Sequence, residues 1–119
     1  MRNFRKLDVW NDSRKLVKEI YLITKRLPET EKYGLVSQIN RCVVSIPANI
    51  AEGSAKESQK DFARFLQISL GSAFELETHI ILCTDLEFLS NKDTKSIIEK
   101  IQILQKRISS LIKYTKTKP

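Results

Sequence analysis

The chain has 119 residues, a formal net charge of +7 and 41% hydrophobic residues, which bounds it to one domain around a single sizeable core. No apolar run approaches the roughly 18 residues that span a bilayer, and the basic start MRNFRKLDVW lacks the apolar stretch of a secretory signal. Membrane insertion and export are thereby set aside, and the cationic excess favours an anionic partner such as nucleic acid, an acidic protein or a membrane surface.

Four segments carry an apolar period of 3.5 to 3.6 residues. The first, over about 8–27, places Val9, Ser13, Leu16, Ile20, Ile23 and Leu27 on one stripe. Asp8 stands where an N-cap is expected, and Pro28 ends the helix. The second, over 31–53 with Thr30 as its cap, aligns Leu35, Ile39, Cys42, Val43, Ile46 and Ile50. The third, over 58–88, opens on an S-x-x-D capping pattern, Ser58 to Asp61, and aligns Phe62, Leu66, Ser69, Ala73, Leu76, Ile80 and Cys83. The fourth, over 91–114, opens on a second such pattern, Ser90 to Asp93. It aligns Ile97, Ile101, Leu104, Ile108 and Leu111 ahead of a basic tail, 115–119, within the disordered-looking run KYTKTKP. With no competing β period and short connections, the spacing predicts an all-α, antiparallel up-down-up-down four-helix bundle. Cys42 and Cys83 sit among apolar residues, as buried free thiols of a cytoplasmic protein would.

The stretch SIPANIAEGSA holds Pro47 inside the second segment and Gly53 near its end. Proline leaves the Val43 carbonyl without its helical donor, which predicts a bend at Pro47 rather than a stop. Gly53 suits a left-handed position just past the helix. One glycine at a helix C-terminus does not make a phosphate-cradling loop, which needs several glycines leading into a helix N-terminus.

Polar residues flank the core stripes. Arg41, Ser45, Asn49 and Glu52 share a side of the second helix, and Ser72, Glu75 and His79 a side of the third. Solvated helix sides would account for both. A partly buried network with Arg41 paired to Glu75 or Glu52 is the sharper expectation, because polar groups beside a proline bend need partners. A catalytic role is disfavoured: His79 is the one imidazole in the chain, and no Ser or Cys has a base that the sequence places beside it. A di-metal carboxylate site wants two Glu-x-x-His pairs, and this sequence has none, so no metal and no cofactor is expected.

Apolar residues off the core stripes, namely Trp10, Val17 and Tyr21 on the first helix and Leu70, Phe74 and Ile81 on the third, read as scattered surface residues or as a subunit interface. Their contiguity on more than one helix favours a homo-oligomer. Cations gather on the first helix and its leader (Arg14, Lys18 and Lys25 among them) and on the last (Lys106 and Lys113). Those two helices are neighbours in the bundle, and a merged positive face would hold phosphates without reading bases. Plain solubility charge is the competing account. Trp10 and Tyr21 could stack on unpaired bases or pack in an interface.

The stretches LDVWNDSRKLVKEIYLITKRLPETEKYGLVSQINRCVVSIPANIAEGSA and FARFLQISLGSAFELETHI resemble the bacterial four helix bundle protein family, also called the 23S rRNA intervening-sequence proteins, with SIPANIAEG the most specific segment. That family is similar to the accessory variability protein of diversity-generating retroelements, which pairs with a reverse transcriptase and binds nucleic acid. The resemblance implies a homopentamer of four-helix bundles with a basic surface and no known enzymatic activity. The expected function is a non-enzymatic, nucleic-acid-binding homo-oligomer; the alternative is a protein-interaction scaffold without direct nucleic-acid contact.

Overall fold

A computed structural model describes residues 2–119. Its four long helices are α1 (Asp8–Thr24), α2 (Leu35–Ser54), α3 (Gln59–Asp85) and α4 (Asn91–Lys116), with single 3-10 turns at Phe4–Lys6 and Glu29–Glu31. No strand occurs among the described residues, and the fold is an all-α four-helix bundle. The long axis measures 48 Å against 23 and 19 Å across, close to the roughly 40 Å that a helix of α3's length spans.

Burial follows the apolar period almost residue by residue. Val43, Ile46, Ile50, Leu66, Ala73, Leu76, Ile80, Ile101 and Ile108 are fully shielded in one continuous cluster. The stripe drifts only near helix ends: Thr24 is buried where Ile23 was expected, and Ile112 where Leu111 was. A straight helix advances about 20° per heptad relative to a strict seven-residue repeat, which moves the core position by one residue.

Cross-helix bonds give the register. Ser69 Oγ reaches the Ile46 carbonyl at 2.9 Å and Ser45 Oγ the Ser72 hydroxyl at 2.6 Å. On the opposite side, Arg26 meets Asp93, Lys100 meets Glu19 and Arg107 meets Asp12. In each seam residue numbers fall along one helix as they rise along its neighbour.

The helix starts divide into two kinds. Ser58 Oγ accepts the Asp61 N–H at 3.0 Å and Ser90 Oγ the Asp93 N–H at 3.1 Å, as the S-x-x-D patterns predict. Asp8, by contrast, is the first residue of α1 rather than its cap; Leu7 holds the cap position and gives no side-chain bond. α2 starts at Leu35, not at 31: Pro28 and a non-helical Gly34 (φ −106°, ψ −110°) isolate Glu29–Glu31 as one turn, and Glu31 Oε1 accepts the Leu35 N–H at 3.3 Å.

The ends differ from expectation as well. α1 stops at Thr24, leaving Leu27 to enter the core from the connection. α3 stops at Asp85, because Glu87 takes a left-handed φ of 63° and the Phe88 N–H turns back to the Cys83 carbonyl at 2.9 Å. α4 continues to Lys116 with Thr115 buried, so the helix takes in the first two residues of the 115–119 tail.

Gly53 is the clearest correction. It lies inside α2, and no described glycine has a positive φ. A Cβ there would stand 2.5 Å from the Phe65 Cβ and 3.2 Å from Phe62 Cδ1. Glycine is needed for the close approach of α3, not for a left-handed turn. Pro47 lies within α2 without ending it.

Candidate nucleic-acid interface

α1 is an amphipathic rod whose buried stripe leaves Arg14, Lys18 and Tyr21 exposed, and Lys25, which caps its C-terminus in helical conformation, is exposed as well. Their steps of four, three and four residues stack them along one face. The Arg14 guanidinium lies 5.3 Å from the Trp10 ring centre. Trp10 itself is half-buried, edge-on to Phe4 with ring centres 5.0 Å apart, and packs against the core.

On α4, Lys106 and Lys113 are exposed. Lys106 lines a groove of about 570 Å³ together with Lys6 and Arg107, where α4 passes the start of α1.

The face between α1 and α4 is not a continuous positive surface. Arg26, Lys100 and Arg107 are engaged there by Asp93, Glu19 and Asp12. Among the described residues these are the Lys and Arg side chains in ion pairs, and Arg14, Lys18, Lys25, Lys106 and Lys113 are not among them.

A cationic cleft that the sequence reading missed lies at the end of the bundle where α3 begins and α4 finishes. It measures about 840 Å³, and Arg2, Lys60, Arg64, Lys116 and Lys118 line it beside Glu57 and Asp61. Arg2 is held there by the Lys56 carbonyl and by Gln59 Oε1, both at 2.5 Å, with its guanidinium 4.3 Å from the Phe62 ring centre. Nothing in the local sequence brings residues 2, 60 and 116 together; only the closure of the bundle does.

The polar flank of α2 and α3 forms in part. Ser45 Oγ donates to the Cys42 carbonyl and meets Ser72 Oγ, Asn49 Nδ2 donates to the Ser45 carbonyl at 2.8 Å, and the Cys42 thiol approaches the Ser72 carbonyl at 2.9 Å. Glu75 pairs with His79 at 3.1 Å rather than with Arg41. Arg41 and Glu52 are exposed and in no described ion pair, and Arg41 lines a groove on the α1 side of α2. Arg41 lies on α2 beside Ser45 and Asn49 in spacing, but its long side chain at the outer edge of the helix serves the flank facing α1.

This cluster is poorly suited to nucleophilic chemistry. Burial, then the charge of Glu75 and a hydrogen bond to it, push the Cys42 thiol up to about 12, and burial raises Cys83 as well. Both thiols are buried and free, and a thiol so raised carries negligible thiolate at neutral pH. No group of three potential metal ligands occurs among the described residues.

Of the expected interface residues, Tyr21, Phe74 and Ile81 are exposed by 42%, 53% and 43%. Leu70, like Trp10, is half-buried against its own core. No described helix is long and apolar enough to cross a membrane.

Among curated proteins, none matches this sequence. A solved structure at 1.70 Å of a protein of unknown function from the S23 ribosomal protein family of Bacteroides thetaiotaomicron is similar, with a TM-score of 0.82 and 30% identity. The similarity covers 88% of this chain and 98% of that one. Residues 5–110 match the family described as 23S rRNA-intervening sequence protein. This chain belongs to the 23S rRNA-intervening sequence protein family.

Proposed function

We propose that this protein is a cytoplasmic, non-enzymatic homo-oligomer that binds RNA or DNA through phosphates with little sequence preference. The observation that carries this reading is the row Arg14, Lys18 and Lys25, exposed along one side of α1 and its C-cap with no carboxylate in ion-pair range among the described residues. Acidic side chains instead neutralise the α1–α4 seam. Uncompensated cations in a row suit a polyanion, whose binding releases condensed counterions. Membership of a family described as 23S rRNA-intervening sequence protein is in keeping with such a partner. Exposed Phe74 and Ile81 supply apolar surface for self-association into the expected pentamer.

The test is a salt titration of binding to labelled RNA and DNA by the wild type and by Arg14→Glu/Lys18→Glu/Lys25→Glu. On duplex DNA, loss of three phosphate contacts should reduce the slope of log K against log salt by about 2.7, and the charge reversal should abolish binding near physiological salt. Unchanged affinity in the triple variant rules out this face. Light scattering of the wild type and of Phe74→Glu/Ile81→Glu tests the assembly.

A further inference from the structure

The face that carries Arg14, Lys18 and Lys25 continues into a groove between α1 and α2. The groove has a volume of about 420 Å³, and Tyr21, Lys32, Tyr33, Val36, Arg41 and Val44 line it. Tyr33 is 88% exposed and Tyr21 42%. The Lys32 ammonium sits 5.6 Å from the Tyr33 ring centre. No carboxylate lines the groove. Beneath it Thr24 Oγ1 bonds Asn40 Oδ1 at 3.1 Å, pinning α1 to α2. Scattered exposed tyrosines need no explanation; two around one groove, interleaved with cations, call for a ligand with both π faces and negative charge.

We propose that this groove binds an unpaired stretch of nucleic acid, with Tyr21 and Tyr33 stacking on bases while Lys32, Arg41, Lys18 and Lys25 hold the phosphates. Base pairs inside a duplex have their faces covered by their neighbours, so exposed aromatic rings can stack only on unpaired or extruded bases. Lys18 and Lys25 stand three residues before and four after Tyr21, on the same side of α1, which places a phosphate contact on either side of that stacked base. The inference rests on the nucleic-acid reading above and adds to it a preference for single strands and the site that creates it. Stacking tolerates any base, in keeping with weak sequence preference.

The test uses fluorescence anisotropy of the full-length protein with a labelled single-stranded pyrimidine oligomer, as RNA and as DNA, and with a blunt duplex of equal length. The wild type should bind the single strand more tightly. Tyr21→Ala/Tyr33→Ala should weaken single-strand binding at least tenfold, given about 1–3 kcal/mol per stacked base, and leave duplex binding within twofold. Tyr21→Phe/Tyr33→Phe should restore it, because stacking needs the ring and not the hydroxyl. Both rings are exposed, so thermal unfolding of the variants should match the wild type. Unchanged single-strand affinity in the alanine variant, equal loss on strand and duplex, or loss of self-association with binding intact would each overturn the groove assignment while leaving phosphate binding standing. Absence of wild-type binding to strand and duplex alike would overturn both readings.

Discussion

The α2–α3 and α1–α4 seams join neighbouring helices of the same bundle by opposite means. Between α2 and α3 two small residues, Gly53 and Ser69, sit at close contacts among large buried side chains. Gly53 lets Phe65 approach to what would be 2.5 Å from a Cβ, and fully buried Ser69 donates to the Ile46 carbonyl. Between α1 and α4 the visible links are three partly exposed ion pairs, with side chains 32% to 55% exposed. The first seam fixes distance and register through contacts that have no slack. The second uses charges that water and salt weaken, and its geometry constrains the surrounding surface far less. Cations can therefore change around α1 and α4 without disturbing the packing that defines the fold.

The sharpest way to break this contrast is a methyl group. Gly53→Ala should destabilise the protein by up to about 2 kcal/mol net, because overpacking a rigid contact costs about 1–3 kcal/mol and helix propensity returns only ~1 kcal/mol of it. Gly71→Ala is its control on the exposed side of α3, where a Cβ meets nothing within 4 Å; it should stabilise by up to about 1 kcal/mol. Urea denaturation of both variants should show midpoint shifts of opposite sign. Shifts of the same sign would mean that α3 can move away from α2 at little cost.

A smaller effect is expected from the buried hydroxyl. Ser69→Ala removes the donor to Ile46 and should cost about 0.5–1.5 kcal/mol, the usual net worth of one hydrogen bond. Reading the same denaturation curve for an unchanged m-value separates lost bonding from a loosened native state.

The α1–α4 seam should respond least. Lys100→Ala and Arg107→Ala should each cost less than about 1 kcal/mol, and 1 M salt should erase most of that. Asp93 adds a pH signature. Hydrogen bonds from Ser90 and then Arg26 hold its carboxyl below the ordinary value of 3.8. Its contribution is fully present above that unfolded value and is lost as pH falls through the lower folded one. Asp93→Asn should therefore lower stability slightly at neutral pH, leave it unchanged below the folded value, and so flatten the acid limb of the stability curve. A large loss at pH 7 would show that this seam governs the fold after all.

The candidate site was less legible than the fold. Arg14, Lys18 and Tyr21 share α1 and Lys25 caps it in helical conformation, so their spacing alone aligns them. The partners that complete the groove, Tyr33 and Lys32, lie within the α1–α2 connection, and the spacing of Arg41 aligns it with the other flank. Arg2, Lys60 and Lys116 have no sequence relation at all. The α3–α4 network, where Gln105 Nε2 reaches Glu77 Oε1 at 2.8 Å and Gln102 joins the same carboxylate, was equally invisible: a glutamine in an apolar stripe gives no sign of where its donor goes.

By itself the sequence determined which residues enter the core, that four helices form, and which serines cap the last two, because helical period and capping act over a few residues. It also determined the excess of positive charge. Tertiary structure alone decided why Gly53 is glycine, which cations acids neutralise, and which aromatic rings meet cations in a groove. Those outcomes depend on contacts between residues distant in the chain, where an ångström of approach or the reach of one side chain selects the partner.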